Sequence, residues 1–120
     1  MRDMLRGKIH RGRVTDANLE YEGSVTVDPV LMELSEILPY EKVHILDVTN
    51  GARLETYAIP GTRNAGEICI NGAAAHLVAV GDIVIILSYA IVTDDEASGW
   101  TPHIVRVDEY NRALQPLMAQ

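Results

Sequence analysis

Phenylalanine is absent from this 120-residue chain, tryptophan occurs once, and the single cysteine is Cys69. One cysteine excludes an internal disulfide and fits a reducing compartment, so the expected location is cytoplasmic. Cys69 lies in the apolar run I-C-I, where a buried inert thiol is the expected reading rather than a nucleophile. No run of 18 apolar residues exists, so no membrane-spanning helix is expected. The opening M-R-D-M-L-R-G-K-I-H has no apolar core of signal-peptide length. Nucleotide P-loops, G-x-G-x-x-G and G-x-S-x-G are missing. His10, His44, His76 and His103 are scattered without the spacing of a zinc site, so no metal is expected.

Aliphatic residues fill the space the aromatics leave, and 48% of the chain is hydrophobic. A chain of this length forms one domain, 1–120, and buries roughly two-thirds of its unfolded surface. The formal net charge of −7 repels phosphate backbones, which argues against nucleic-acid binding. Against that background Lys8, His10, Arg11 and Arg13 form a basic spot. It suits a small anion, or is simply a solvated strand face.

Residues 4–15 have the period of a strand, with Lys8 and His10 on one face and Ile9 on the other. Residues 16–23 form a loop and 24–28 a short strand. Asp28-Pro29 starts a helix whose apolar stripe is Val30, Leu31, Leu34, Ile37 and Leu38, and Pro39 ends it. Asn50-Gly51, between V-H-I-L-D-V and A-R-L-E-T-Y-A-I, predicts a hairpin with a type I′ turn. On its outgoing strand Arg53, Glu55 and Tyr57 share one face, and Leu54, Thr56 and Ala58 the other. E-I-C-I is a strand ending at Asn71-Gly72. D-I-V-I-I-L-S-Y-A-I-V is the most apolar strand and is expected at the centre, ending at the acidic run 94–96. The pattern weakens from Ala97, and the structure of the 101–120 tail stays open. Many short strands with one or two small helices point to a compact β-barrel or an α+β domain.

Each remaining feature has an ordinary explanation when taken alone. Gly23-Ser24 reads as a bend, Arg53 and Tyr57 as surface residues, and N-G-A-A-A as a turn into a helix. Tyr21 reads as packing. In order, however, the segments K-I-H-R, Y-E-G-S-V-T-V-D-P, I-L-P-Y-E-K-V, V-T-N-G-A-R-L-E-T-Y-A-I and I-N-G-A-A-A-H-L-V-x-x-G-D-I-V-I-I resemble the pyruvoyl-dependent aspartate α-decarboxylases. The resemblance covers about residues 4 to 100. Gly12 is a departure, standing where Ala or a larger residue is expected.

That resemblance implies a mainly β fold: a small six-stranded double-psi β-barrel with one or two short helices, assembled as a homotetramer with shared active sites. It implies decarboxylation of L-aspartate to β-alanine for pantothenate synthesis, after autocatalytic cleavage at Gly23-Ser24 into 1–23 and 24–120. The cofactor is a pyruvoyl group derived from Ser24, in place of pyridoxal phosphate and without a metal. Its keto group forms a Schiff base with the substrate amine and takes up the electrons that CO2 leaves behind. Ser24 is the nucleophile of cleavage, and Gly23, lacking Cβ, is expected to adopt a strained conformation. Thr56 assists processing and contacts substrate, although its strand face is the wrong one unless a bulge lies at 55–57. Tyr57 resembles the family's proton donor. Arg53, Lys8, His10, Asn71, Gly72, Ala73 and Ala74 resemble its substrate-binding set.

Two other readings remain at this stage. A non-catalytic β-barrel module could hold a small anion on its N-terminal basic residues. Alternatively, the chain is a precursor that stays uncleaved without a maturation partner.

Overall fold

The computed structural model describes residues 1–114. Eight strands form one sheet: β1 (Arg2–Arg13), β2 (Asp16–Asn18), β3 (Ser24–Val27), β4 (Lys42–Asp47), β5 (Arg53–Pro60), β6 (Ile68–Asn71), β7 (Ile83–Val92) and β8 (His103–Arg106). Their order is β2-β6-β3-β5-β4-β7-β1-β8. The short β2 and β8 lie at the two ends, leaving six inner strands, in keeping with a small six-stranded barrel. The chain leaving β1 returns to the far side of the sheet, where the Thr15 N–H donates to Ile68 O at 2.8 Å. Ile68 N–H in turn donates to Thr15 Oγ1 at 3.0 Å. This contact curls the sheet toward closure and covers edges that would otherwise expose unpaired backbone.

Alternation decides which side chains face in. Ile9, Val25, Val27, Val43, Ile45, Ala58, Ile68, Ile70, Val84 and Ile86 are buried and fill the interior. Each large aliphatic among them contributes about 1.5–3 kcal/mol of transfer free energy. As expected, β7 lies inside the sheet, between β4 and β1. The tail is not featureless: β8 pairs in parallel with β1, and Val107 bridges to Ala113. The 16–23 segment also differs from expectation, because Asp16–Asn18 pairs with β6.

Helix α1 (Pro29–Ser35) begins as predicted, with Asp28 Oδ1 accepting from Val30 N–H at 2.9 Å. Its end comes earlier than Pro39. Glu36 takes a left-handed φ of 59°, so the helix stops after seven residues. The buried residues are Leu31, Met32 and Ser35, while Leu34 and Leu38 are exposed. The reason is a close approach to β1: a Cβ on Gly7 would come within 1.9 Å of Ser35 O. That contact turns the helix to a face different from the one its Leu spacing suggests. A second helix, α2 (Asp94–Ala97), follows β7 and is closed by a Thr93–Glu96 capping box.

The hairpin is present, but its turn is not type I′. Gly51 has a φ of +81°, whereas Asn50 is not left-handed. The connection is longer, and Asn50 instead uses its side chain, accepting from Ala52 N–H and donating to Leu77 O, both at 2.8 Å.

Candidate active site around Ser24

Strands β3, β5 and β6 run side by side, and their register brings the predicted residues onto one face. Ser24 stands opposite Asn71 and Thr26 opposite Cys69 in the antiparallel β3–β6 pair. Val25 pairs in parallel with Ala58 of β5, so Ser24 and Tyr57 occupy equivalent positions one step earlier. Paired residues project to the same side of a sheet. Val25 and Ala58 point into the core, so Ser24, Thr26, Cys69, Asn71, Tyr57 and Arg53 project outward.

Ser24 is nevertheless only 1% exposed. The loop before it and the 3-10 turn Gly72–His76 cover it. The turn can do this because Gly72 has no side chain. A Cβ at Gly72 would lie 2.7 Å from Gly23 Cα and 3.1 Å from Tyr21 O, and its φ is +75°. By contrast, a Cβ on Gly23 would meet nothing within 4 Å, and its φ is not left-handed. The steric demand for glycine thus falls on residue 72 rather than on residue 23.

The Ser24 hydroxyl is held from two sides. Asn71 Nδ2 donates to Ser24 Oγ at 2.9 Å, and Ser24 Oγ donates to Glu22 O at 3.3 Å. Its proton thus points back over Gly23, along the chain. Asn71 Nδ2 also donates to Thr26 Oγ1 at 2.9 Å, and Cys69 Sγ donates to Asn71 Oδ1 at 3.1 Å. Cys69 is buried and no nucleophile: burial, and then the charges of Asp16 and Glu67, push its thiol pKa up. Sequence reasoning does not single out Thr26, and it reads Cys69 as a buried inert thiol without placing it beside Asn71. Their only signal was their two-residue spacing from Ser24 and Asn71 on adjacent strands.

Ala73 and Ala74 continue the turn beside Gly72. Its first N–H groups have no intrahelical acceptor, as at the start of any helix. Tyr57 packs against Tyr40, ring centroids 6.3 Å apart. Thr56 pairs with Val43 in a β4–β5 ladder that runs from Arg53 to Tyr57 without a register shift. No bulge turns it, and Thr56 stays on the face opposite Arg53 and Tyr57.

Lys8 and His10 are outward-facing on β1, as expected, with Ile9 fully buried between them. They belong to a different patch. His10 lines a pocket of about 430 Å³ with Arg11, Arg13 and Arg106. His10 Nδ1 is buried without a partner. Burial, and then Lys8, Arg106 and Arg11, lower the His10 pKa. Arg106, opposite His10 in the β1–β8 pair, was missed because the tail carried no motif. Arg53 lines a separate pocket of about 210 Å³ with His44 and Glu55. Glu55 is paired with Lys42 and His44, which leaves Arg53 without an ion-pair partner among the described residues. No hydrogen bond or ion pair among the described residues connects Lys8, His10 or Arg53 with Ser24 or Asn71.

Residues 1–114 match the family Aspartate decarboxylase, a span that extends past residue 100 into the tail. The aspartate 1-decarboxylase of Thermoanaerobacter pseudethanolicus is 60% identical over 113 residues, which cover 94% of this chain and 97% of that protein. Its counterpart from Carboxydothermus hydrogenoformans is 54% identical over 112 residues, 93% of this chain and 88% of that protein. The enzyme of Syntrophus aciditrophicus is 59% identical over 109 residues, 91% and 94% of the two chains.

Proposed function

The chain belongs to the aspartate decarboxylase family, and we propose that it converts L-aspartate to β-alanine and CO2 for pantothenate synthesis with a pyruvoyl group made from its own Ser24. The reaction breaks a carbon–carbon bond and leaves an electron pair on the former α-carbon, for which the pyruvoyl carbonyl is the sink.

The observation that carries this reading is the buried Ser24 hydroxyl, held between Asn71 Nδ2 and Glu22 O and folded back toward Gly23. In the maturation step Ser24 Oγ adds to the Gly23 carbonyl carbon, and the amide bond becomes an ester. β-Elimination then breaks the Cβ–Oγ bond and releases 1–23 with a free carboxylate. Water hydrolyses the dehydroalanine left at position 24, releasing ammonia. Donation from Asn71 stabilises the charge that builds on Oγ as the Cβ–Oγ bond breaks to leave a carboxylate. The surroundings fit a small carbonyl group: neutral donors from Asn71 and from the backbone of Gly72, Ala73 and Ala74, brought close because Gly72 has no Cβ.

For the substrate, Arg53 offers a planar fork to a carboxylate. Lys8 adds positive potential, His10 orients the substrate as a neutral imidazole, and Tyr57, level with Ser24 on the next strand, returns a proton to carbon. Thr56 lies on the inner face of β5 apart from Arg53 and Tyr57, level with Gly23 in the parallel β3–β5 register, from where it assists cleavage.

The outer face of a curled sheet is convex, so side chains on distant strands diverge. An enclosed site that uses Lys8, His10 and Arg53 together with Ser24 therefore needs a second copy. Exposed apolar residues, among them Tyr40 (76%), Ile91 (70%), Leu38 (62%) and Val80 (61%), support such burial between subunits. The assembly is a homotetramer with sites shared between neighbours.

Intact-mass measurement of the purified protein tests the reading. The expected species are fragments 1–23 and 24–120, the larger reactive toward carbonyl reagents and lacking an N-terminal amine. A single full-length species that persists after prolonged warming refutes self-cleavage. Ser24→Ala is expected to stay uncut and inactive.

A further inference from the structure

We propose that Cys69 is a positioning residue: its thiol, donating to Asn71 Oδ1, fixes the Asn71 carboxamide with its NH2 toward Ser24 and Thr26. This rests on the reading of Gly23-Ser24 as a self-cleaved bond. The two ends of a carboxamide have nearly the same shape, so its partners decide which way it points. Here both of its donors and one acceptor position are assigned. The two Nδ2 hydrogens go to Ser24 Oγ and Thr26 Oγ1, each at 2.9 Å, and Oδ1 receives the Cys69 thiol at 3.1 Å. Asn71 is 3% exposed, so bulk water does not stand in for a missing partner.

The orientation matters to the chemistry. With NH2 toward Ser24, Oγ accepts from Asn71 and its own proton is directed to Glu22 O. Charge that develops on Oγ as the Cβ–Oγ bond breaks then meets a donor. With the amide reversed, Oδ1 faces Ser24 and draws the serine proton to itself, and the developing charge meets an acceptor. Reversal would also set the NH2 against sulfur, a weak acceptor. The thiol fills this role only as S–H. Its burial and the negative charges of Asp16 and Glu67 keep it protonated at neutral pH. The arrangement is built into the ladder: Cys69 and Asn71 are two apart on β6, opposite Thr26 and Ser24 on β3.

The test compares Cys69→Ser, which keeps a donor, with Cys69→Ala and Cys69→Val, which remove it. Val retains apolar volume in case Ala disturbs packing. Each full-length protein is followed by intact mass for cleavage between residues 23 and 24, and by thermal melting. Wild type and Cys69→Ser are expected to cleave at rates within about threefold, and the donor-less variants about tenfold more slowly. The loss should exceed what their melting temperatures predict, with rescue by Ser alone. Cleavage of Cys69→Val at the wild-type rate overturns the proposal, as does a Cys69→Ser as slow as Cys69→Val. A wild type that never cleaves removes the self-cleavage reading itself, an outcome distinct from either.

Discussion

Asn71 faces Ser24 directly across the β6–β3 pair and donates to its hydroxyl at 2.9 Å. Among the described residues it is the one side chain hydrogen-bonded to both Ser24 and Thr26. Asn71→Ala is expected to slow cleavage by about 10–100-fold, in the range of a lost oxyanion donor. It should cost about 1–3 kcal/mol of stability, because Thr26 and Cys69 lose their partner. A mass-spectrometric time course and a denaturant titration check the two effects separately.

Gly72 and Gly23 touch each other yet should respond oppositely to a methyl group. Gly72→Ala puts a Cβ 2.7 Å from Gly23 Cα at a φ of +75°, so both the backbone conformation and the neighbouring chain must shift. A loss of about 1–3 kcal/mol is expected, together with slower cleavage. Gly23→Ala enters open space and should melt within a few degrees of wild type. Paired thermal melts decide this. Equal destabilisation would contradict the packing described.

Tyr57 and Arg53 share the outer face of β5 with no part in the hydrogen bonds around Ser24. Tyr57→Phe should cleave normally while kcat falls about 10²–10⁴-fold, the usual contribution of a positioned proton donor. Arg53→Lys should also cleave normally, with its main effect on KM. Steady-state kinetics on protein already confirmed as cleaved tests both. Impaired maturation in either variant would count against the assignment.

Asp47 and Asp82 form a buried carboxyl pair that holds the β4–β5 turn near the start of β7. Asp47 Oδ1 accepts from the N–H groups of Thr49 and Asn50, while Oδ2 is buried with no N–H or O–H partner. Two carboxylates bond to each other only when one is protonated. Burial, and then the bond with Asp82, raise the Asp47 pKa, and the same bond lowers that of Asp82. Asp47 therefore holds its proton to higher pH in the folded chain than in the unfolded one. Its contribution is thus favourable below the ordinary Asp range and declines as pH rises through the raised value. Asp82 contributes in the opposite sense, losing stability as pH falls through its lowered value. Asp47→Asn mimics the protonated form. Its stability relative to wild type should increase as pH rises from about 4 toward 7, as urea midpoints across that interval would reveal. A constant difference would show that Asp47 does not titrate there.

Much of the fold was legible because it is written in local chemistry. Asp28-Pro29 sets a helix start through one side-chain acceptor and a preset φ. Alternation along β1 puts Ile9 inside with Lys8 and His10 outside, and the hairpin follows from two apolar runs about a turn. What failed depended on neighbours. The buried face of α1 takes in Leu31, Met32 and Ser35 but leaves Leu34 exposed, with Ser35 set against β1 at Gly7. Asn50 avoids a left-handed φ because its side chain can reach Leu77 O, 27 residues away. Thr56 could be placed on a face from period two, but only the unshifted β4–β5 register rules out a bulge.

Sequence alone determined the strand-rich architecture, the candidate nucleophile and the family resemblance, since each rests on residue type, order and spacing along the chain. Tertiary structure decided how Ser24 is held. Its hydrogen-bond donor lies 47 residues away, and the thiol and hydroxyl that orient that donor come from two strands. It also moved the need for a missing Cβ from Gly23 to Gly72. Register and close approach are relations between segments, and neither is encoded in the local pattern of a single segment.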